Sequence, residues 1–281
     1  MFDELAVSLK EADLLIAGVE WYHRIEILPG LITPGVIPYN GIYDAPAYLD
    51  SLAPDLPKDL SGARVLDIGA WDGALSFELH KRGASVVAAD VQDPAKTGFN
   101  VLNRISGSKI PYRRCSVYDL SREFGAEFDF VIFMNVFSIL KAPTLAYEAI
   151  SSVMKVGATL FSDGTGQGFE LRDKKGDLLP AEWRRAFGEM LDRLDDFGVA
   201  IMQLGDGVSG TGERYLPNRS AFGTWLSCAG FESTKIWKYR HTADGRTAIG
   251  ATAVKVGKPE IVEHRLVGEA NPTVATPMVR S

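Results

Sequence analysis

Val65-Leu66-Asp67-Ile68-Gly69-Ala70-Trp71-Asp72-Gly73 is the stretch that decides the fold. A β-branched run, Ala63–Ile68, enters a glycine-bracketed turn, and a helical stretch to Arg82 leaves it. Glycines let the backbone turn tightly and let a ligand approach the main chain. In an open parallel sheet, ligands bind beyond the carboxyl ends of the strands. The spacing here is D-x-G-x-x-x-G. It departs from the G-x-G-x-x-G pattern that seats a pyrophosphate on a helix N-terminus. Asp67 is a poor neighbour for a pyrophosphate and suits a cationic amino group. A nicotinamide-dependent oxidoreductase is disfavoured on that ground.

Downstream the chain alternates. Ser85–Asp90 reads as a second strand, with a helix near Ala95–Ser106. Tyr112–Val117 reads as a third strand and the apolar Phe128–Met134 as a fourth. A helix follows in the stretch after Pro143 to Val153, then a fifth strand, Val156–Ser162. Apolar strands alternating with helices predict βαβ units and a parallel sheet covered on both faces. Asp163–Gly168 reads as a glycine-rich loop that opens an insertion of about 163–218, with helices predicted at Ala181–Phe197 and Arg219–Ala229. The strand-like runs Thr234–Arg240 and Thr247–Val256 flank Ala243-Asp244-Gly245-Arg246, a hairpin signal. Upstream, Leu5, Leu9, Ala12, Ile16 and Val19 recur at helical spacing over residues 1–20. Six prolines punctuate 29–58, leaving room for one short helix near Ala45–Leu52.

The expected fold class is therefore α/β: a Rossmann-like, seven-stranded, mostly parallel sheet with an antiparallel terminal hairpin. The expected organisation is an N-terminal helix and lid segment (1–58), a core (59–256) and a tail (257–281). At 281 residues, 46% hydrophobic and 23% charged, the composition is that of a globular domain. No apolar run approaches the ~20 residues a membrane span needs, and the acidic Met1-Phe2-Asp3-Glu4 start does not look like a signal peptide. Two cysteines, Cys115 and Cys228, fit a reducing cytoplasm most simply. The four histidines are scattered and no metal spacing occurs, so no metal is expected. A net charge of −6 speaks against a nucleic-acid partner. A homodimer is left open.

The second strand ends at Asp90. An acid there, about 20 residues beyond the glycine turn, accepts the hydroxyls of a ribose in dinucleotide folds.

With VLDIGAWDG (65–73), the acid of VVAADV (Asp90), FDFVIFMNV (128–136), MKVGATLF (154–161) and the terminal hairpin, the sequence resembles the class I S-adenosylmethionine (SAM)-dependent methyltransferases from about Ala63 to Val256. A narrower likeness involves Trp21-Tyr22-His23-Arg24-Ile25-Glu26-Ile27, Thr33-Pro34-Gly35, Tyr215-Leu216-Pro217-Asn218, Trp225-Leu226 and Ala229-Gly230-Phe231. These resemble a group labelled tRNA mo5U34 methyltransferase-like. The related carboxymethyltransferases use carboxy-SAM and carry Tyr-His-Arg after the fourth strand, where this chain has Phe137-Ser138-Ile139. The expected cofactor is therefore ordinary SAM.

The resemblance implies roles. Asp67, Gly69, Ala70 and Gly73 would line the methionine half of SAM. Asp90 would bind the ribose, with Val91 and Gln92 near the adenine and Ser116 and Val117 at its amine. Asn135 and Val136 would face the methyl-donor side. Trp71 reads either as a packing residue or as a wall of the cofactor site. Trp21-Tyr22-His23 read either as a helix end or as a lid, with Trp21 toward the substrate, Tyr22 on the cofactor and His23 as base. His has a suitable ordinary pKa for that work. Asp163 is the other candidate base. Arg214, Tyr215 and Asn218 would line the substrate mouth or cap the helix that follows. The charged stretch Trp183–Asp196 reads as a solvated face, a lid or a dimer surface. The expected reaction is methyl transfer to a small molecule or metabolite, oxygen favoured over nitrogen. The alternatives are a tRNA-modifying methyltransferase and a non-catalytic SAM-binding protein.

Overall fold

The computed structural model describes residues 1–35, 41–166, 179–194, 197–198, 200–204, 213–240 and 247–257. In chain order the elements are α1 (Leu9–Ala17), β1 (Glu26–Leu28), β2 (Leu31–Ile32), α2 (Ala45–Leu52), β3 (Arg64–Ile68), α3 (Ala74–Lys81), β4 (Ser85–Asp90), α4 (Phe99–Ser106), β5 (Tyr112–Arg114), α5 (Leu120–Glu123), β6 (Phe128–Met134), α6 (Pro143–Val153), β7 (Met154–Thr165), α7 (Ala181–Arg193), β8 (Ala200–Leu204), β9 (Glu213–Pro217), α8 (Arg219–Cys228), β10 (Phe231–Arg240) and β11 (Thr247–Lys255). The seven-stranded sheet runs β10-β11-β7-β6-β3-β4-β5. The pairs from β7 to β5 are parallel, and β11 is antiparallel to both β7 and β10. The expected fold class is the observed one.

The chain runs outward from β3 through β4 to β5 and returns to place β6 on the other side of β3. The switch point thus lies between β3 and β6, where an open α/β sheet forms its ligand crevice. The sheet separates two apolar layers. One gathers Phe77, Phe99, Leu102 and Ile105 with Trp21, Ile25, Ile27 and Leu49 from the N-terminal segment. The other gathers Phe133, Phe137, Tyr147, Ile150, Phe222 and Leu226. The described parts of the N-terminal segment therefore share a core with the sheet.

Several boundaries moved. The first helix begins only at Leu9, where the Ser8 side chain accepts the Glu11 N–H and caps it. The third strand stops at Arg114, and Ser116 caps a single 3-10 turn at Val117–Asp119. The fifth strand continues through Asp163 to Thr165, because β11 pairs with it along that length. The reading of Asp163–Gly168 as a loop thus fails for its first three residues. The insertion contains an unforeseen antiparallel pair, β8 with β9. The turn at 243–246 lies outside the described residues, as do His241 and the tail beyond 257. Among the described residues, no helix is long and apolar enough to cross a membrane, and both cysteines are free.

Candidate functional site

Loops after β3, β4 and β6 and the end of β7 meet the N-terminal segment at the switch point. Gly69 follows β3 with φ +80°, and a Cβ there would lie 2.4 Å from Val136 Cγ2, which follows β6. Only a glycine lets the two loops meet this closely. Gly69 and Ala70 send their N–H groups back to the Ala89 carbonyl of β4. Trp71 then takes φ 44°, and Asn135 takes φ 59° after β6. Among the described residues these are the only non-glycines with positive φ. Asn tolerates that region, but a bulky indole does not adopt it readily, and such strain gathers at functional sites.

Asp90 enforces the Trp71 conformation. Its Oδ2 accepts the Trp71 N–H at 3.0 Å and its Oδ1 accepts the Gln92 N–H at 3.0 Å. Thr97 Oγ1 donates to the Trp71 carbonyl from the other side. A carboxylate offers about four acceptor positions, so Asp90 keeps two for a pair of hydroxyls. Trp71 Nε1 is buried and, among the described residues, has no hydrogen-bond partner. A buried donor left unpaired is costly unless a ligand or water accepts from it. Asp90 with spare acceptor capacity, the Gly69 cradle and the unpaired indole N–H fit a nucleoside linked to an amino acid, as in SAM.

The N-terminal segment closes over this turn. Asp72 is fully buried. Its Oδ2 accepts the Tyr22 N–H at 3.1 Å and the His23 N–H at 2.7 Å; its Oδ1 lies 2.7 Å from His23 Nδ1 and 3.5 Å from the Ala74 N. Five rings form a row across the strand ends. Trp71 and Tyr22 centroids are 5.1 Å apart, Tyr22 and His23 4.9 Å, His23 and Tyr43 4.2 Å, and Tyr43 and Tyr48 5.3 Å. At the far end, Asn135 Nδ2 donates to the Tyr48 hydroxyl at 2.8 Å. The Tyr48 hydroxyl lies 3.4 Å from the Asp163 carboxylate, which also accepts the Asn135 N–H at 3.1 Å.

Tyr22, Trp71, Asp90, Asn135, Val136, His23 and Asp163 are thus brought together. Val91 is exposed and Gln92 half-buried beside Asp90. Other expectations need correction. Asp67 is buried and accepts the Ser76 hydroxyl at 2.5 Å, which ties β3 to α3. Loss of solvation pushes its pKa up to about 6. Gly73 packs: a Cβ would meet the Phe99 and Phe77 rings at 2.7 and 3.0 Å. Ser116 spends its hydroxyl on the Tyr118 N–H, and Val117 is buried in the second apolar layer. Trp21 is core, with Nε1 donating to the Ile16 carbonyl and its ring against Gly98. Asn218 is a buried helix cap. It accepts the Ala221 N–H and donates to the Leu194 and Phe197 carbonyls. Tyr215 is half-buried in β9; the side chain of Arg214 lies outside the described residues. Asp72, Tyr43 and Tyr48 were missed. An acid in a glycine turn reads as solvated, and its His23 partner lies 49 residues away.

A Rossmann-like sheet with this strand order and this strand-end crevice defines the class I SAM-dependent methyltransferase fold. Residues 66–162 match the family model described as Methyltransferase domain. It is 36% identical over 103 residues to a ubiquinone biosynthesis O-methyltransferase of Xanthomonas euvesicatoria pv. vesicatoria, covering 37% of this chain and 43% of that protein. A protein of the same name from Hahella chejuensis is 33% identical over 102 residues, covering 36% and 43%. The chain thus spans less than half the length of these relatives. Among solved structures it is similar to the N-terminal domain of EvdMO1 with SAH bound (TM-score 0.60, 13% identity, 92% of this chain and 100% of that one). It is also similar to the Burkholderia thailandensis 1,6-didemethyltoxoflavin-N1-methyltransferase (TM-score 0.53, 15% identity, 76% and 77%).

Proposed function

We propose that the protein transfers a methyl group from SAM to an oxygen of a small-molecule acceptor. The observation that carries the reading is the clamp between Asp72 and the Tyr22–His23 segment. It holds an imidazole and a row of rings directly over the turn that fits the cofactor. The two relatives named O-methyltransferases support oxygen as acceptor atom.

When bound, SAM supplies a methyl group already activated for in-line displacement. The chain's residues position and desolvate. Asp90 accepts the ribose hydroxyls, and Gly69 and Ala70 let the main chain approach the methionine half. Trp71 and Tyr22 exclude water from one side. An oxygen acceptor needs a base, and His23 would take its proton. Asp163, Tyr48 and Asn135 would fix a polar group of the acceptor at the other end of the row. Phe137, buried against Phe222, Tyr147 and Trp225, stands where the carboxymethyltransferases begin their Tyr-His-Arg run, and this supports SAM over carboxy-SAM.

A tRNA-modifying enzyme is the second reading. The Trp21–Ile27 segment that carries the group likeness is the one that closes the site. Transfer of tritiated methyl from SAM, offered in parallel to hydroxylated aromatic acids, primary amines and unmodified tRNA, separates these readings. Label in a hydroxylated acid supports the proposal. Label confined to tRNA or to amines overturns it, and SAM binding without transfer to any pool points to a non-catalytic binding protein.

A further inference from the structure

We propose that Asp72 is the positioning residue for His23: it sets the imidazole tautomer and docks the lid with the same carboxylate. The inference deepens the proposed function and rests on that reading for its catalytic meaning.

Four contacts carry it. Asp72 is fully buried, and its carboxylate faces the Tyr22 N–H, the His23 N–H and His23 Nδ1, with a longer approach to the Ala74 N. A carboxylate oxygen only accepts. With Oδ1 at 2.7 Å, Nδ1 must be the donor. In the neutral ring, the proton on Nδ1 leaves a lone pair on Nε2. The ring itself is largely but not wholly covered, its side chain 16% exposed, and it stands between Tyr22 and Tyr43. Its backbone is fixed as well, since the His23 carbonyl accepts from Thr33 Oγ1 at 2.8 Å. The base is therefore held at three points before an acceptor arrives.

The proton transfer balances simply. The acceptor O–H bond breaks and an N–H bond forms at Nε2. The electron pair stays on the acceptor oxygen, and the imidazolium charge lies against the Asp72 carboxylate. The proton later passes to water. An aspartate that orients a histidine in this manner fixes the tautomer, and its amide replacement imposes the wrong one.

The test uses the full chain labelled with 15N-histidine, with His23→Gln assigning the resonance. Long-range proton–nitrogen correlation at alkaline pH should show His23 protonated on Nδ1 in the wild type. Asp72→Asn keeps an acceptor for the backbone N–H groups but presents an amide N–H to Nδ1. It should move the proton to Nε2 while the dissociation constant for S-adenosylhomocysteine stays within about threefold. With catechol as the acceptor probe, kcat should fall about 100-fold or more, as for loss of a general base. His23→Gln should fall similarly, and the double variant no further. A wild-type His23 protonated on Nε2, an unchanged tautomer in Asp72→Asn, or an unchanged kcat overturns the proposal. Should Asp72→Asn not fold, the wild-type tautomer decides. Absence of SAM binding in the wild type would sink the proposed function instead, leaving the tautomer result to stand by itself.

Discussion

Asp67 and Gly69 sit two residues apart, and each makes a separate demand on the turn. Asp67 is buried with a folded pKa of about 6 against an ordinary 3.8. The folded state binds its proton more tightly than the unfolded one, so the contribution to stability is full below about pH 4 and is lost as pH rises through 6. A shift of that size corresponds to about 3 kcal/mol. Asp67→Asn should thus be more stable than wild type at pH 8 by about 1–3 kcal/mol, with Ser76 still donating to the amide oxygen. In urea titrations that gain should shrink toward pH 4. A gain independent of pH would contradict it. Gly69→Ala places a methyl against Val136 at positive φ. It should cost about 1–3 kcal/mol and weaken SAM at least tenfold; wild-type SAM affinity would refute the cradle. The D-x-G-x-x-x-G turn and the place of Asp90 at the end of β4 were legible at this scale because they depend on local backbone. Asp72 was not, because its donors come from a segment 49 residues away.

At the scale of elements, the lid is a built structure. Glu20 donates its N–H to the Lys96 carbonyl, Thr33 closes a loop onto Ile25, and Tyr43 donates its N–H to the Arg24 carbonyl. Trp21 anchors it: a Cβ on Gly98 would lie 2.2 Å from its ring. Trp21→Ala should destabilise the protein by about 3–5 kcal/mol and open residues 20–35 to limited proteolysis. Unchanged protection would show that Asp72 alone holds the lid. Strands β4 and β6 were readable to the residue, since each is an apolar run bounded by turn residues. The far end of β7 was not. Asp163 and Gly164 look like loop residues, and only pairing with β11 makes them strand. The β8–β9 pair escaped for the same reason, being an antiparallel contact within a polar insertion. Asn218 was legible as an N-cap type. Its two further bonds, to Leu194 and Phe197, were not, since they depend on how α7 returns to α8.

Across the whole molecule, the alternation of strands and helices was enough to give the sheet and its terminal hairpin. The order of strands then puts the switch point between β3 and β6, and Trp71 and Asn135, the non-glycines of positive φ among the described residues, lie there. One carboxylate, Asp90, shapes the first of these loops and retains acceptor positions for a ligand. The proposed function requires this crevice to hold SAM. Calorimetric titration of SAM into wild type and Asp90→Asn tests it most directly. The wild type should show one site per chain, and the variant binding weakened about tenfold or more, as expected when hydrogen bonds to a charged acceptor are lost. No binding heat, or an Asp90→Asn protein that binds SAM as the wild type does, would contradict it.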